Sequence, residues 1–342
     1  MVPVMARHVC LLGGAGFLGS HLVQALLEHT DVRISVLDSC LDRLEVRSPR
    51  LQLIEATVTD HAALARAVEG ADPVLSLTAL CNPALYNTRP RQVIDASFTE
   101  LVPLVDRCAR SGQWLIHFST CEVYGRPLSD APMSEESTPL ALGPVQLERW
   151  TYACAKQLLE RLMWAERRHG LRGTIIRPFN VIGSRMDFVP GVDGAGIPRV
   201  LACFMEALLR QRPLQLVQGG QQRRAFMAVE DLCDAVLRIL ARPGRCQGEI
   251  LNLGHPDNDV TIAELARQMI AVYARRHGGA PDLPCRTVSA EQFYGPGYDD
   301  AQHRIPDIAR ARRLLEWQPI RTLAQMLPAI VDDYVARYRD RL

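Results

Sequence analysis

Val9-Cys10-Leu11-Leu12-Gly13-Gly14-Ala15-Gly16-Phe17-Leu18-Gly19-Ser20-His21-Leu22-Val23 is the stretch on which the fold turns. Four apolar residues in a row suit a short buried strand, and residues 20–27 carry helical spacing. Strand, glycine-rich turn and helix form the first half of a dinucleotide-binding unit. Gly13, Gly16 and Gly19 let the backbone turn tightly and approach a pyrophosphate. Phe17, Leu18 and Gly19 open the helix, where N–H donors and the positive end of the dipole favour an anion. A second run, 34–37, ends at Asp38, which lies 19 residues past Gly19. A carboxylate there accepts hydrogen bonds from ribose hydroxyls and repels a 2′-phosphate, so NAD is expected rather than NADP.

Outward from this unit the alternation continues. Residues 51–54, 74–77, 114–118 and 174–176 read as strands, with helical segments near 62–69 and 90–110. Strands alternating with helices predict an α/β fold, a Rossmann-type doubly wound parallel sheet. After about residue 180 the periodicity becomes irregular, and Gly and Pro cluster in 190–198. This gives an NAD-binding domain over 1–180 and a smaller C-terminal substrate-binding α/β domain over 181–342. The segments 229–240 and 250–254, within 226–255, are expected to return to the Rossmann half.

The composition is that of an ordinary globular chain: 48% hydrophobic, 23% charged, net charge +1 over 342 residues. Nothing in it argues for nucleic acid or an anionic membrane as partner. No run of about 18 apolar residues predicts a membrane span, and no signal peptide is read at the start. A cytoplasmic location with reduced thiols is therefore expected. The ten cysteines include no CxxC pair, so no metal site is expected, and most should be small buried hydrophobes. One imbalance stands out. Of the 39 basic residues 38 are arginine, and the single lysine is Lys156.

That lysine closes Tyr152-Ala153-Cys154-Ala155-Lys156, inside a helix-forming stretch over 147–168. Four residues apart, Tyr152 and Lys156 share one helical face. An ammonium beside a phenol favours phenolate, oxidised nicotinamide adds more positive field, and a phenolate takes the proton of a substrate hydroxyl as hydride leaves its carbon. Upstream, Phe118-Ser119-Thr120-Cys121-Glu122-Val123-Tyr124-Gly125 follows a strand, where open α/β sheets bind ligands. Thr120 is placed to orient the substrate hydroxyl, and Glu122 offers an acid/base group that plain hydride transfer does not need.

The chain resembles the extended short-chain dehydrogenase/reductases of the NAD-dependent epimerase/dehydratase type. More narrowly it resembles the UDP-apiose/UDP-xylose synthases, with a likeness also to UDP-glucuronate decarboxylases. The resemblance runs from about residue 8 to 335. It is most specific at His117–Gly125, at 152–161, at 185–194, at 198–204 and at 293–300. It implies that UDP-glucuronic acid is oxidised at C4 by NAD to a β-keto acid, which loses CO2. Retro-aldol cleavage of C2–C3 and rejoining of C2 to C4 then contract the ring, and re-reduction gives UDP-apiose. Reduction of the uncontracted ketone gives UDP-xylose. A simple decarboxylase, stopping at UDP-xylose or the 4-ketopentose, is the alternative.

The same resemblance assigns Cys81 and Cys121 to proton shuttling during ring opening and closure. A thiol can do this where its surroundings lower its pKa. Arg304 is placed near the departing carboxylate, as an electrostatic positioner. Tyr86, Asn180, Arg185, Arg199, Arg224, Tyr294 and Tyr298 are implied for the nucleotide sugar, and a homodimer is implied through helices near 90–110 and 147–168. Two departures stand against the pattern: Gln215 where relatives carry lysine, and Thr57 where many carry an acid near the adenine.

Overall fold

A computed structural model describes residues 6–194, 196–279, 282–295, 299 and 301–342. In chain order the first half holds β1 (His8–Leu12), α1 (Phe17–His29), β2 (Arg33–Asp38), β3 (Leu51–Glu55), α2 (His61–Val68) and β4 (Val74–Ser76). Next come α3 (Pro83–Thr88), α4 (Pro90–Ser97), α5 (Val102–Ser111), β5 (Trp114–Phe118), α6 (Thr151–Glu166) and β6 (Arg172–Pro178). The second half adds β7 (Val181–Ile182), α7 (Val200–Leu209), β8 (Leu214–Val217), β9 (Arg223–Ala225), β10 (Met227–Ala228), α8 (Val229–Ala241) and α9 (Pro243–Cys246). It closes with β11 (Ile250–Leu253), β12 (Asp259–Thr261), α10 (Ile262–His277), β13 (Cys285–Val288), α11 (Ala290–Tyr294), α12 (Ala309–Leu315) and α13 (Leu323–Tyr338).

Seven strands form one parallel sheet in the order β3-β2-β1-β4-β5-β6-β11. The chain winds outward from β1 in both directions, so the strand order reverses between β1 and β4, and ligands bind at such a reversal. One apolar core gathers α1, α7, α8 and α13 with one face of the sheet; a second gathers α2, α5 and α6 with the other. Central strands are therefore buried on both faces, which is why β1 and β5 read as continuous apolar runs rather than alternating ones. α8 packs on α1 and β11 pairs with β6, so this late stretch lies on the large sheet. Three two-stranded sheets, β7/β10, β9/β12 and β8/β13, build the smaller part.

The helix expected over 90–110 is broken. Phe98 leaves the helical region (φ −140°, ψ −67°), a 3-10 turn follows at Thr99–Leu101, and Pro103 in the first turn of α5 has no N–H to continue a ladder. The cysteines also divide differently from expectation. Cys10, Cys108, Cys121, Cys233 and Cys246 are buried, but Cys40, Cys81, Cys154 and Cys285 are exposed. No disulfide links them, and no group of ligating side chains could hold a metal among the described residues. No described helix is long and apolar enough to cross a membrane.

Candidate active site

A cavity of about 530 Å³ opens at the carboxyl ends of β1, β4, β5 and β6, closed from the other side by β8, β9 and α7. Its floor is the glycine-rich turn. Gly13 has φ +80°, and a Cβ there would sit 3.0 Å from the Thr78 backbone nitrogen; a Cβ on Gly19 would sit 2.5 Å from the Gly13 carbonyl oxygen. Gly16 differs: a Cβ there would meet only the Gly13 oxygen, at 3.5 Å, so its bare face is open to the cavity. α1 starts behind it with no side-chain cap and no acidic residue in its first turn. Its N–H donors are thus available to an anion. Phe17 and Leu18 line the same wall. This cradle fits a dinucleotide pyrophosphate. Asp38, expected to meet the ribose, ends β2; its Oδ2 accepts the Ala15 N–H (2.9 Å) and its Oδ1 the Cys40 N–H (3.3 Å), so it also pins the turn.

α6 carries Tyr152 and Lys156 into the cavity on one face. Lys156 is 1% exposed. Its Nζ donates to the Phe118 carbonyl (2.9 Å) and to His117 Nε2 (3.5 Å), and burial pulls its pKa down to about 8. The Tyr152 ring stacks on Tyr86, centroids 5.0 Å apart, and its hydroxyl lies 3.0 Å from the Cys81 sulfur. Burial, and then Cys81, push the phenol well above its ordinary range. The expected phenolate, beside the ammonium and the positive field of oxidised nicotinamide, belongs to the cofactor-bound site. In the protein alone the phenol's pKa is held up by desolvation, and Lys156 bonds the strand carbonyl and the imidazole.

The 3-10 turn Cys121–Tyr124 begins just after Thr120, whose Oγ1 accepts the Glu122 N–H (3.2 Å). Ser119 and Thr120 both line the cavity, and the buried Ser119 hydroxyl has no hydrogen-bond partner among the described residues. Cys121 is buried; burial raises its pKa, against the opposing pull of Arg304. The expectation of an acidified thiol fails at this position for that reason. Glu122 is not a solvated loop carboxylate. Arg149 binds it with two donors (2.7 and 3.1 Å), and Arg304 donates a third at 3.4 Å. Arg149, 2% exposed, also lies over the Tyr86 ring at 5.2 Å. It went unread in the sequence, although it stands one turn before Tyr152.

Of the residues implied for the nucleotide sugar, Tyr86, Asn180, Arg199, Arg224 and Tyr294 line the cavity, as does Gln215. Arg199 pairs with Asp187 (3.1 Å) and lies over the Phe17 ring at 5.6 Å, linking the smaller part to the glycine turn. Arg185 is elsewhere: it has φ +61°, its N–H goes to Asp333 (2.9 Å), and its guanidinium reaches Gln24 on α1. It is not among the lining residues, and the expectation for it is corrected. Tyr298 lies outside the described residues. Thr57 bonds Thr59 (2.6 Å) at the surface.

Sheet order and cavity together define a class, the extended short-chain dehydrogenase/reductases. The sequence pattern of the NAD dependent epimerase/dehydratase family matches residues 9–254, and the chain belongs to that family. It is 42% identical to UDP-D-apiose/UDP-D-xylose synthase 1 of Arabidopsis thaliana, over 95% of this chain and 90% of that protein. Among solved structures it is similar to the PbgP3 protein of Burkholderia pseudomallei (31% identity, TM-score 0.86, 98% of each chain). It shares its fold with the UDP-glucuronic acid 4-epimerase of Bacillus cereus, solved with UDP-glucuronic acid and NAD (22% identity, TM-score 0.79, 97% of this chain and 100% of that one).

Proposed function

We propose that this chain holds NAD on the glycine turn and converts UDP-glucuronic acid to UDP-apiose, UDP-xylose and CO2. The observation that carries the reading is the Cys81 sulfur 3.0 Å from the Tyr152 hydroxyl. It sets a second proton-exchanging group against the phenol, which oxidation and re-reduction at C4 do not require. The identity to the Arabidopsis synthase supports the same conclusion. Residues 1–180, with 226–255, serve the cofactor; the rest of 181–342 serves the nucleotide sugar.

When bound, NAD supplies the hydride acceptor for C4 and returns the hydride at the end of the cycle. The chain's own residues handle protons and charge. Tyr152 takes the C4 hydroxyl proton while Thr120 orients that hydroxyl. Lys156 contributes a positive charge that favours the developing phenolate. Arg304, close to Glu122 and Arg149, supplies the positive charge that positions the carboxylate on C5. CO2 then leaves with its bonding electrons going into the enolate. Cys81 exchanges the hydroxyl protons that retro-aldol cleavage of C2–C3 and aldol closure of C2 on C4 require, while Glu122 holds Arg149 and Arg304 in place. Cys121, whose thiol burial keeps protonated, donates rather than accepts. Arg199 and Arg224 suit the diphosphate, with Asn180, Tyr294 and Gln215 around the nucleotide.

The test is incubation of the purified protein with UDP-glucuronic acid and catalytic NAD, with products identified by NMR. UDP-apiose with CO2 supports the proposal. UDP-xylose alone would favour the simple decarboxylase, and no turnover would refute both. The reading includes a homodimer: α4 and α6 pack together and expose Ile94 and Leu158. Light scattering coupled to size exclusion checks it, and a monomer at micromolar concentration would overturn it.

A further inference from the structure

β5 reads Trp-Leu-Ile-His-Phe, and all five residues are buried. An imidazole inside such a strand costs free energy unless its nitrogens are hydrogen-bonded. Both nitrogens of His117 have neighbours. Nδ1 lies 3.4 Å from the Ser76 hydroxyl on β4, and Nε2 lies 3.5 Å from Lys156 Nζ. An ammonium has three donors and no acceptor. Nε2 must then be the bare nitrogen, with the ring proton on Nδ1 directed at Ser76. Burial, then the lysine's charge, holds His117 well below its ordinary range, so the ring stays neutral and remains an acceptor.

The surroundings leave few alternatives for the ammonium. Its shorter bond goes to the Phe118 carbonyl. The carboxylate of Glu160, one turn along α6, is held by two donors of Arg177 on β6 (3.0 and 2.6 Å). The Cys81 sulfur, beyond β4, lies 3.0 Å from the Tyr152 hydroxyl, so these two groups engage each other.

We propose that His117 is a positioning residue. Its neutral imidazole, oriented by Ser76, steadies the Lys156 ammonium at the cofactor side of Tyr152. The inference rests on the assignment of Lys156 to the proposed site, but its test does not need turnover. Because Lys156 is the chain's single lysine, tag-free protein grown on 13C,15N-lysine gives one Cε–H signal that reports its protonation.

The titration is run on protein stripped of nucleotide. The wild type should titrate near pH 8. His117→Phe removes the acceptor, and the midpoint should fall by about one pH unit, a tenfold drop in the ammonium-to-amine ratio at a given pH. His117→Gln, which keeps an amide oxygen, should recover at least half of that shift. Ser76→Ala frees the ring proton to move to Nε2 and should lower the midpoint by an intermediate amount. Circular dichroism establishes that each variant is folded. If His117→Phe does not fold, Ser76→Ala and His117→Gln decide: both midpoints below the wild type, glutamine by the smaller amount, support the proposal. A midpoint unchanged in folded His117→Phe or in Ser76→Ala overturns it, as does a glutamine variant that behaves like phenylalanine. If the midpoints move as expected while UDP-glucuronic acid is not consumed, the positioning role stands and the proposed function falls.

Discussion

The two ends of the cavity treat buried charge in opposite ways. At one end Glu122 is held by two nearly inaccessible arginines, with three hydrogen bonds among the carboxylate and the guanidiniums. At the other end Lys156 is just as buried, but its bonded partners are a backbone carbonyl and a neutral imidazole. A buried charge paired by opposite charges keeps its protonation state, whereas one held by neutral acceptors stays near the balance point. The Glu122 end therefore suits a fixed anion site, and the Lys156 end suits proton traffic. Tyr152 and Cys81, within 3.0 Å of each other, lie at the second.

The sharpest way to break this contrast is at the proton-handling end. Tyr152→Phe should lower turnover about 10³-fold, within the range general acid–base groups supply, while NAD affinity measured by fluorescence quenching stays within a few-fold. Lys156→Arg should lose most activity as well, because a planar guanidinium does not occupy the space of a compact ammonium. Near-normal turnover in either variant would remove that end from the chemistry.

At the fixed end the larger effect should be on stability. Glu122→Ala leaves Arg149 and Arg304 buried without their shared carboxylate, and urea denaturation should show a loss of about 3–5 kcal/mol. A change below about 1 kcal/mol would mean the cluster is held by other contacts. The smallest expected effect concerns the thiols. Replacing both Cys81 and Cys121 by serine should lower the apiose-to-xylose ratio several-fold, by NMR, with decarboxylation less affected. An unchanged ratio would assign both cysteines to packing.

How much of this could be read from the chain follows from the same contrast. The cofactor side is local: Gly13 to Gly19 is one turn, and Tyr152 to Lys156 is one helical turn, so spacing alone exposes them. The charged end joins residues 27 and 182 positions apart in sequence, Arg149 and Arg304 on Glu122. No periodicity signals such a meeting. Arg149 could have been found by asking which side chains lie one turn from Tyr152. His117 had a fainter signal, a lone polar residue in a buried apolar run. The burial that raises the Tyr152 and Cys121 pKa values was not legible, because desolvation depends on what surrounds a side chain in three dimensions. Arg185 was misplaced for a related reason: its left-handed backbone turns it towards α1 and α13 rather than the cavity.

The central claim is that the lone lysine is kept for chemistry at the expense of stability. Lys156 drops from 10.5 to about 8 on folding. Between those values the unfolded chain binds the proton more tightly, so stability should rise as pH increases from about 8 to 10.5, while below 8 the whole cost is present. That cost is about 3 kcal/mol. The direct test is urea denaturation of nucleotide-free wild type and Lys156→Met from pH 7 to pH 10.5. The account predicts that the methionine variant is inactive yet more stable by about 1–3 kcal/mol at pH 7, with the advantage shrinking towards pH 10.5. A methionine variant less stable than the wild type at pH 7 would contradict it.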